Sequence, residues 1–129
     1  MKKMVFTAAL AGLLAANPAV ARTKSIPEAK PVGVPVNCIS INQIQESRVR
    51  NDSIIDFRVS GKKWYRNTLP QSCPSLGYEE RFSYRTPTSQ LCSVDTIAVL
   101  QNYGSVLQEG PHCVLGKFQP VELVRAAKK

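Results

Sequence analysis

The chain has 129 residues, of which 43% are hydrophobic and 20% are charged, and its 17 Lys and Arg outnumber its 9 Asp and Glu for a formal charge of +8. This length fits one domain, not two. The composition excludes an intrinsically disordered chain and a collagen-like chain, and it places the protein among ordinary globular domains.

The N-terminus has the pattern of a secretory signal peptide. Lys2 and Lys3 precede an apolar run at 4–16, and the small-residue triplet Ala-Val-Ala follows at 19–21. The run of 13 residues is shorter than the roughly 20 that a membrane-spanning helix needs. We therefore predict cleavage near Ala21 and export, to the periplasm or out of the cell, of a soluble chain that has no membrane span and a charge of +6.

Residues 22–36 form a proline-rich leader in which Pro27, Pro31 and Pro35 recur every four residues. Proline has a fixed φ and no amide hydrogen, so the segment does not fit a regular helix or a central strand. We predict an extended, mobile spacer that leads into a β-rich domain over 37–120.

The domain alternates between apolar and polar residues, the period of two that is typical of strands with one buried face. Six short strands are predicted over 39–45, 53–59, 64–69, 81–86, 94–101 and 114–119. The first also fits a helix face, and the fifth also fits a short buried helix. Gly104 and the pair Gly110-Pro111 predict a loop before the last strand. Residues 121–129 are predicted to be a basic tail or a short helix.

The second and third strands are predicted to pair as a hairpin. A three-residue turn at 60–62 sets a register in which one apolar pair lies on the buried face and two polar pairs lie on the other face. The pairs are Phe57–Tyr65, Asp56–Arg66 and Arg58–Trp64. A two-residue turn would shift this register by one residue.

Six short strands without room for crossover helices predict a mainly β fold. We expect one antiparallel sheet that curls into a small barrel or sandwich, because closing the sheet hides its edges.

All four cysteines lie beyond the signal peptide, at Cys38, Cys73, Cys92 and Cys113. An even number of cysteines in an oxidising compartment predicts two disulfides that brace the domain. The spacing contains no C-x-x-C, which argues against a redox pair and a zinc site, so we predict no metal and no cofactor. Three pairings are possible. We favour Cys73–Cys92, which closes a hairpin-sized excursion, with Cys38–Cys113, which ties the ends of the domain together.

Several short stretches carry a further likeness. They are Cys38-Ile39, Asp56-Phe57, Tyr65-Arg66-Asn67-Thr68-Leu69, Cys73-Pro74, Phe82-Ser83-Tyr84, Leu91-Cys92-Ser93-Val94-Asp95, and Cys113 with Leu115-Gly116 and Phe118. This set of cysteines, aromatic residues and turn residues resembles a family of small secreted bacterial proteins known only as a domain of unknown function. The resemblance implies a shared scaffold and no activity, ligand or catalytic residue.

Two residues are candidates for catalysis. His112, the single histidine, has the residue type of a general base or metal ligand, although an exposed loop histidine is the favoured interpretation. Asp95 could be a buried catalytic carboxylate, although we expect it to accept hydrogen bonds from backbone amides at a turn. A small secreted hydrolase that uses Asp95 or His112 is therefore the alternative function.

Basic residues cluster around the predicted hairpin. The candidates for binding an anionic partner are Arg58, Lys62, Lys63, Trp64, Arg66, Arg81 and Arg85. Arginine forms bidentate contacts with carboxylates and phosphates, and tryptophan offers a stacking surface. The opposing interpretation is a solvated face on which Arg66 pairs with Asp56 and Arg58 lies on Trp64.

The favoured function is a non-enzymatic exported binding or structural module. Its partner would be an anionic glycan, a phosphate-bearing envelope component or an acidic protein, and export disfavours nucleic acid. A structural or inhibitory module with apolar contacts is a further hypothesis, which an exposed aromatic patch would favour.

Overall fold

The computed structural model describes residues 25–124; the predicted signal peptide and residues 125–129 of the predicted tail lie outside this range. The described part is mainly β, as predicted. Its strands are β1 (Ala29–Pro31), β2 (Cys38–Ser40), β3 (Ile44–Val49), β4 (Ile54–Val59), β5 (Lys63–Thr68), β6 (Phe82–Tyr84), β7 (Gln90–Cys92), β8 (Thr96–Tyr103), β9 (Val106–Val114) and β10 (Phe118–Leu123). A 3-10 turn, Ile41–Gln43, precedes β3, and a short helix, α1 (Leu76–Glu79), precedes β6.

The strands form three antiparallel sheets rather than one closed barrel. The five-stranded sheet has the order β1-β10-β5-β4-β3, the three-stranded sheet has the order β6-β8-β9, and β2 pairs with β7. The core lies between the two larger sheets, where the Phe57 ring meets the Phe118 ring edge to face at 5.5 Å and the Phe82 ring at 6.2 Å. The fold is therefore sandwich-like, within the predicted class.

The predicted hairpin is confirmed as β4 and β5. Phe57 lies opposite Tyr65 and Asp56 opposite Arg66, as a three-residue turn requires. Gly61 in that turn has a φ of 74°, which glycine adopts without strain. The fifth predicted strand is also confirmed, because β8 is the central strand of its sheet.

The loop predicted around Gly104 and Gly110-Pro111 is wrong. Gly104 and one further residue turn the chain between β8 and β9, and the glycine-proline pair lies inside β9. The register of the two strands shifts between Ala98 and Leu100, and such a bulge accommodates glycine and proline within a strand. A Cβ at Gly110 would also lie 2.7 Å from the Gln101 side chain.

The boundaries of the β-rich domain extend further than predicted at both ends. Residues 29–31 of the predicted spacer form β1, which pairs with β10 at the edge of the five-stranded sheet. The domain was expected to end at Pro120, yet this residue lies within β10. Its carbonyl accepts a hydrogen bond from the Val32 amide at 3.0 Å. The backbone nitrogen of Pro120 faces the same side, so its missing hydrogen leaves the β5 pairing intact.

The disulfides join Cys38 to Cys92 and Cys73 to Cys113. All four predicted cysteines are therefore paired, but the favoured pairing is wrong. Because β2 and β7 lie side by side, Cys38 stands directly opposite Cys92. The second bridge ties the segment before α1 to β9.

The buried side-chain amide of Asn67, on β5, connects that strand to the segment of chain that leads into β10. The Asn67 side chain is fully buried; its Nδ2 donates to the Gly116 carbonyl and its Oδ1 accepts from the Gly116 amide, both at 2.8 Å. A Cβ at Gly116 would lie 2.2 Å from the Thr68 carbonyl oxygen, so only glycine fits this close approach.

Candidate functional site

The outer face of the five-stranded sheet carries most of the charged residues that the sequence singled out. Cross-strand register places on one side of the sheet a set of alternating positions from β3, β4 and β5. Arg50, which directly follows β3, continues the alternation. We call this the charged face; its residues are Glu46, Arg48, Arg50, Asp56, Arg58, Trp64 and Arg66. Sequence analysis missed Glu46, Arg48 and Arg50, although their spacing of two in the chain is the signal of a shared strand face.

Asp56 is the centre of the charged face. The Arg66 Nε and Nη2 atoms donate to its two carboxylate oxygens at 2.8 and 2.9 Å, and the Arg50 Nε atom donates to Oδ2 at 2.8 Å. The Asp56 side chain is fully buried, and the side chains of Arg50 and Arg66 are only 14% and 15% exposed. The three groups together carry one net positive charge.

The side of β4 that was expected to be solvated is covered at Asp56, whereas Arg58 on the same side remains partly exposed. The Arg66 Nη2 atom also donates to the Pro27 carbonyl at 2.9 Å, so the segment before β1 lies over this end of the charged face. Asp56 has the predicted partner, Arg66, and occupies the predicted face, but arginine stems and the backbone near Pro27 exclude water from it.

Arg58 is engaged with its neighbours. Its Nε donates to Glu46 at 3.2 Å and its Nη1 to Gln45 at 2.5 Å. Glu46 is also paired with Arg48, whose guanidinium lies over the Trp64 ring at 5.9 Å. The cation on Trp64 is therefore Arg48 and not Arg58, which corrects that part of the sequence interpretation.

The pKa of Glu46 lies below its ordinary value, chiefly because the Arg48 side chain hydrogen-bonds to the carboxylate, with Arg58 adding to the effect. A depressed folded-state pKa stabilises the fold above the unfolded-state pKa, and this stabilisation is lost as the pH falls through the folded-state pKa. We expect Glu46→Gln to lower the melting temperature slightly at neutral pH and to have no effect at pH values below the folded-state pKa. Thermal unfolding of both proteins over a pH series tests this, and Glu46→Gln should have no effect when Arg48 and Arg58 are both methionine.

The other predicted basic residues lie elsewhere. Lys62 and Lys63 are exposed at the β4–β5 turn, with the Lys63 Nζ atom 5.1 Å from the Tyr65 ring centre. Arg81 and Arg85 flank β6 in the three-stranded sheet, and Arg85 is almost fully exposed, 3.9 Å from Glu109. The structure thus does not bring the seven predicted residues together on one surface.

The positive charge of the chain is concentrated outside the described residues. All nine Asp and Glu lie within 25–124, together with ten Lys and Arg, so this part carries +1. The other seven cations are Lys2, Lys3, Arg22, Lys24, Arg125, Lys128 and Lys129. The excess of Lys and Arg over Asp and Glu in the whole chain therefore does not identify a basic surface on the fold.

The two catalytic candidates are not brought together. Asp95 accepts a hydrogen bond from the Cys92 amide at 2.7 Å, which is the turn role that the sequence predicts. His112 is exposed on β9, with its Nε2 3.9 Å from a Glu109 oxygen. His112 and Glu109 line an open groove of about 140 Å³ that has Ser83 among its walls and does not include Asp95. Ser83 and His112 lie on either side of Ala98, so a whole strand separates them.

A larger cavity lies at the edge of the charged face. It has a volume of about 570 Å³, and its walls include Arg48, Arg50, Ser47 and Ile26. None of the residues predicted to bind or catalyse lies in its wall.

The distal half of the β8–β9 hairpin, residues 100–109, is called here the hairpin arm. Residues 102–109 are exposed on both strands. Tyr103, Val106 and Leu107 at its tip are 58%, 55% and 53% exposed. Tyr103 lies opposite Val106 on one side of the ribbon, and Leu107 lies on the other side, so the tip presents apolar side chains in both directions.

Within the described range, no three His, Cys, Asp or Glu residues are grouped in a way that could hold a metal ion. No helix in residues 25–124 has the length and hydropathy needed to cross a membrane. The chain matches no protein-family model, no curated protein and no solved structure.

Proposed function

We propose that this protein is an exported, non-enzymatic binding module that inserts its hairpin arm into an apolar cleft of a partner protein. The observation that carries the proposal is the apolar tip of the arm, Tyr103, Val106 and Leu107, which is exposed on a projecting ribbon. Exposed apolar side chains that cluster on one projection are typical of interaction sites. Two disulfides and the N-terminal signal pattern support export.

The charge pattern favours a protein cleft over an anionic partner. From Thr96 to Gln108 the chain has no charged residue, and Glu109 at the base of the arm is an acid. A polyanion would gain no ion pair from such a surface, whereas an apolar cleft would remove the three tip side chains from water. Lys62, Lys63, Arg81 and Arg85 remain candidates only for contacts outside the cleft.

The base of the arm is held rigidly, which reduces the entropy lost on binding. The Leu100 amide donates to the Arg81 carbonyl at 3.0 Å, so β6 supports the point where the arm leaves the sheet. Cys113, opposite Ile97 on the same hairpin, is bonded to Cys73. Nearer the tip, the Tyr103 hydroxyl donates to the Gln101 side chain at 3.0 Å, which restricts the position of the Tyr103 ring.

The proposal is tested with the double variant Tyr103→Ser, Leu107→Ser. The matched control is Val94→Ser, since Val94 is 79% exposed and lies outside the arm. Each immobilised protein is exposed to exported proteins of the source cell, and any partner is then purified and titrated. We expect one partner to bind the natural protein and the control equally, and to bind the arm variant at least about tenfold more weakly.

If a partner binds all three proteins equally, the arm is not part of the interface. If every partner that the natural protein binds is also bound by the arm variant, the proposal is likewise contradicted. Sedimentation gives a separate check. If the natural protein forms dimers and the arm variant is a monomer, the arm contacts a second copy and the proposed partner is wrong.

A further inference from the structure

We infer that the cavity beside Arg50 is a binding site for a small molecule that carries a single carboxylate and a short apolar group. This inference concerns the five-stranded sheet, whereas the hairpin arm belongs to the three-stranded sheet, so it goes beyond the proposed function and does not depend on it. The first observation is the cavity itself, which is open at the surface and has a volume of about 570 Å³.

Arg50 supplies the donors. Its Nε atom is bound to Asp56, and within residues 25–124 this is the one hydrogen bond that its side chain makes. The terminal Nη1 and Nη2 atoms form the other edge of the guanidinium, and this edge matches the two oxygens of a carboxylate. Because the side chain is only 14% exposed, a ligand carboxylate would meet it with little competing water.

The charge balance at Asp56 leaves Arg50 able to attract an anion. Arg66 makes two hydrogen bonds to the same carboxylate that Arg50 contacts once, so one negative charge is shared by two cations. Of these two arginines, Arg50 lines the cavity and Arg66 does not, so the guanidinium that makes only one hydrogen bond to Asp56 is the one that a ligand in the cavity can reach. The Asp56 contact also fixes the orientation of the Arg50 side chain before a ligand arrives.

The other walls limit which anion fits. Ser25 and Ser47 add hydroxyl groups, and Ile26 and Val49 add apolar surface. Glu80, which has an interaction partner of its own, also lines the cavity. The one guanidinium edge that Arg50 offers matches a single carboxylate, and the apolar walls favour a short apolar group beside it. We therefore assign the site to a monocarboxylate with an apolar tail of a few carbons.

The experiment titrates the full protein with butyrate at constant ionic strength, followed by NMR. The comparison ligands are acetate, inorganic phosphate and the uncharged methyl ester of butyrate. The variants are Arg50→Met and the control Arg85→Met, since Arg85 is an exposed arginine on the other sheet. We expect saturable shifts around the cavity, with a dissociation constant on the order of 1 mM for one charge-assisted fork.

In Arg50→Met, which leaves Asp56 paired with Arg66, binding should weaken at least about tenfold, while Arg85→Met binds like the natural protein. Unchanged butyrate binding by Arg50→Met would overturn the inference. Tighter binding of phosphate than of butyrate, or equal binding of the ester, would overturn the assignment to a carboxylate. If Arg50→Met fails to fold, the test uses the NMR signals of the Arg50 side-chain nitrogens in the natural protein. We expect these signals to shift with butyrate and not with chloride, and the absence of a shift with butyrate would overturn the inference.

Discussion

Replacement of Asp56 by alanine is expected to lower the free energy of unfolding by about 3–5 kcal/mol, the range for breaking a buried ion pair by removal of one partner. The Asp56 carboxylate is fully buried and accepts hydrogen bonds from two arginines that are themselves largely buried. Without it, Arg50 and Arg66 would hold two positive charges side by side in a poorly hydrated position. Chemical denaturation of the purified variant measures the loss.

The control for this prediction is Asp95→Ala. Asp95 is partly exposed and accepts one backbone hydrogen bond, from Cys92, so its removal is expected to lower the free energy of unfolding by about 1 kcal/mol. An Asp56→Ala variant no less stable than Asp95→Ala would contradict the central place given to the Arg50–Asp56–Arg66 cluster. Replacing all three members of the cluster by apolar residues should recover much of the loss, because no uncompensated charge then remains.

Removal of the Cys73–Cys113 disulfide by alanine substitutions is expected to lower the free energy of unfolding by about 4 kcal/mol. The bridge closes 40 residues of chain, and chain entropy alone predicts a loss of this size for such a loop. Cys73 is also fully buried in the core cluster, so its replacement leaves a small cavity whose destabilising effect adds to the entropic loss.

Two measurements check this second prediction. A peptide map of the unreduced protein should contain Cys73 joined to Cys113 and Cys38 joined to Cys92, and a peptide that joins Cys73 to Cys92 would refute the pairing. Denaturation of the Cys38→Ala, Cys92→Ala variant provides the comparison, because those cysteines are not in the core and their bridge spans 54 residues. We expect the two variants to lose similar entropic stabilisation and only the Cys73–Cys113 variant to lose core packing.

Local pairing could be predicted from the sequence, and distant pairing could not. The β4–β5 register follows from a short turn and from matching side chains on neighbouring strands. The disulfide pairing depends instead on β2 lying beside β7, about fifty residues later in the chain. Proximity along the sequence favoured Cys92 as the partner of Cys73, and no periodic pattern opposes that choice.

Alternation in a strand predicts which face a side chain occupies but not what covers that face. Asp56 was assigned to the polar face of β4, and the register agrees. Its burial depends on Arg50 and on the backbone near Pro27, which come from distant parts of the chain. The same limitation applies to the basic cluster, because the pairing of Arg58 with Glu46 requires the β3–β4 register.

The hairpin arm was missed for a different physical reason. Glycine and proline usually interrupt strands, so Gly110 and Pro111 predicted a loop where a bulge lets β9 continue. If residues 104–111 form a loop, Val106 and Leu107 belong to no strand. The sequence pattern then cannot predict that they are exposed at the tip of a two-stranded ribbon. The cavity beside Arg50 was equally hidden, since Ser25 and Ile26 reach it from the leader.

The position of β1 has a consequence for the protein at high concentration. An outermost strand with free amides invites a neighbouring molecule to add its own strand, which is how ordered aggregates begin. The Val32 amide points inward to β10. Because successive backbone nitrogens in a strand point to opposite sides, the nitrogen of Pro31 points outward, and it has no hydrogen to donate to an added strand. Trimming the chain back beyond Pro31 would uncover β10 and remove this protection against fibre growth.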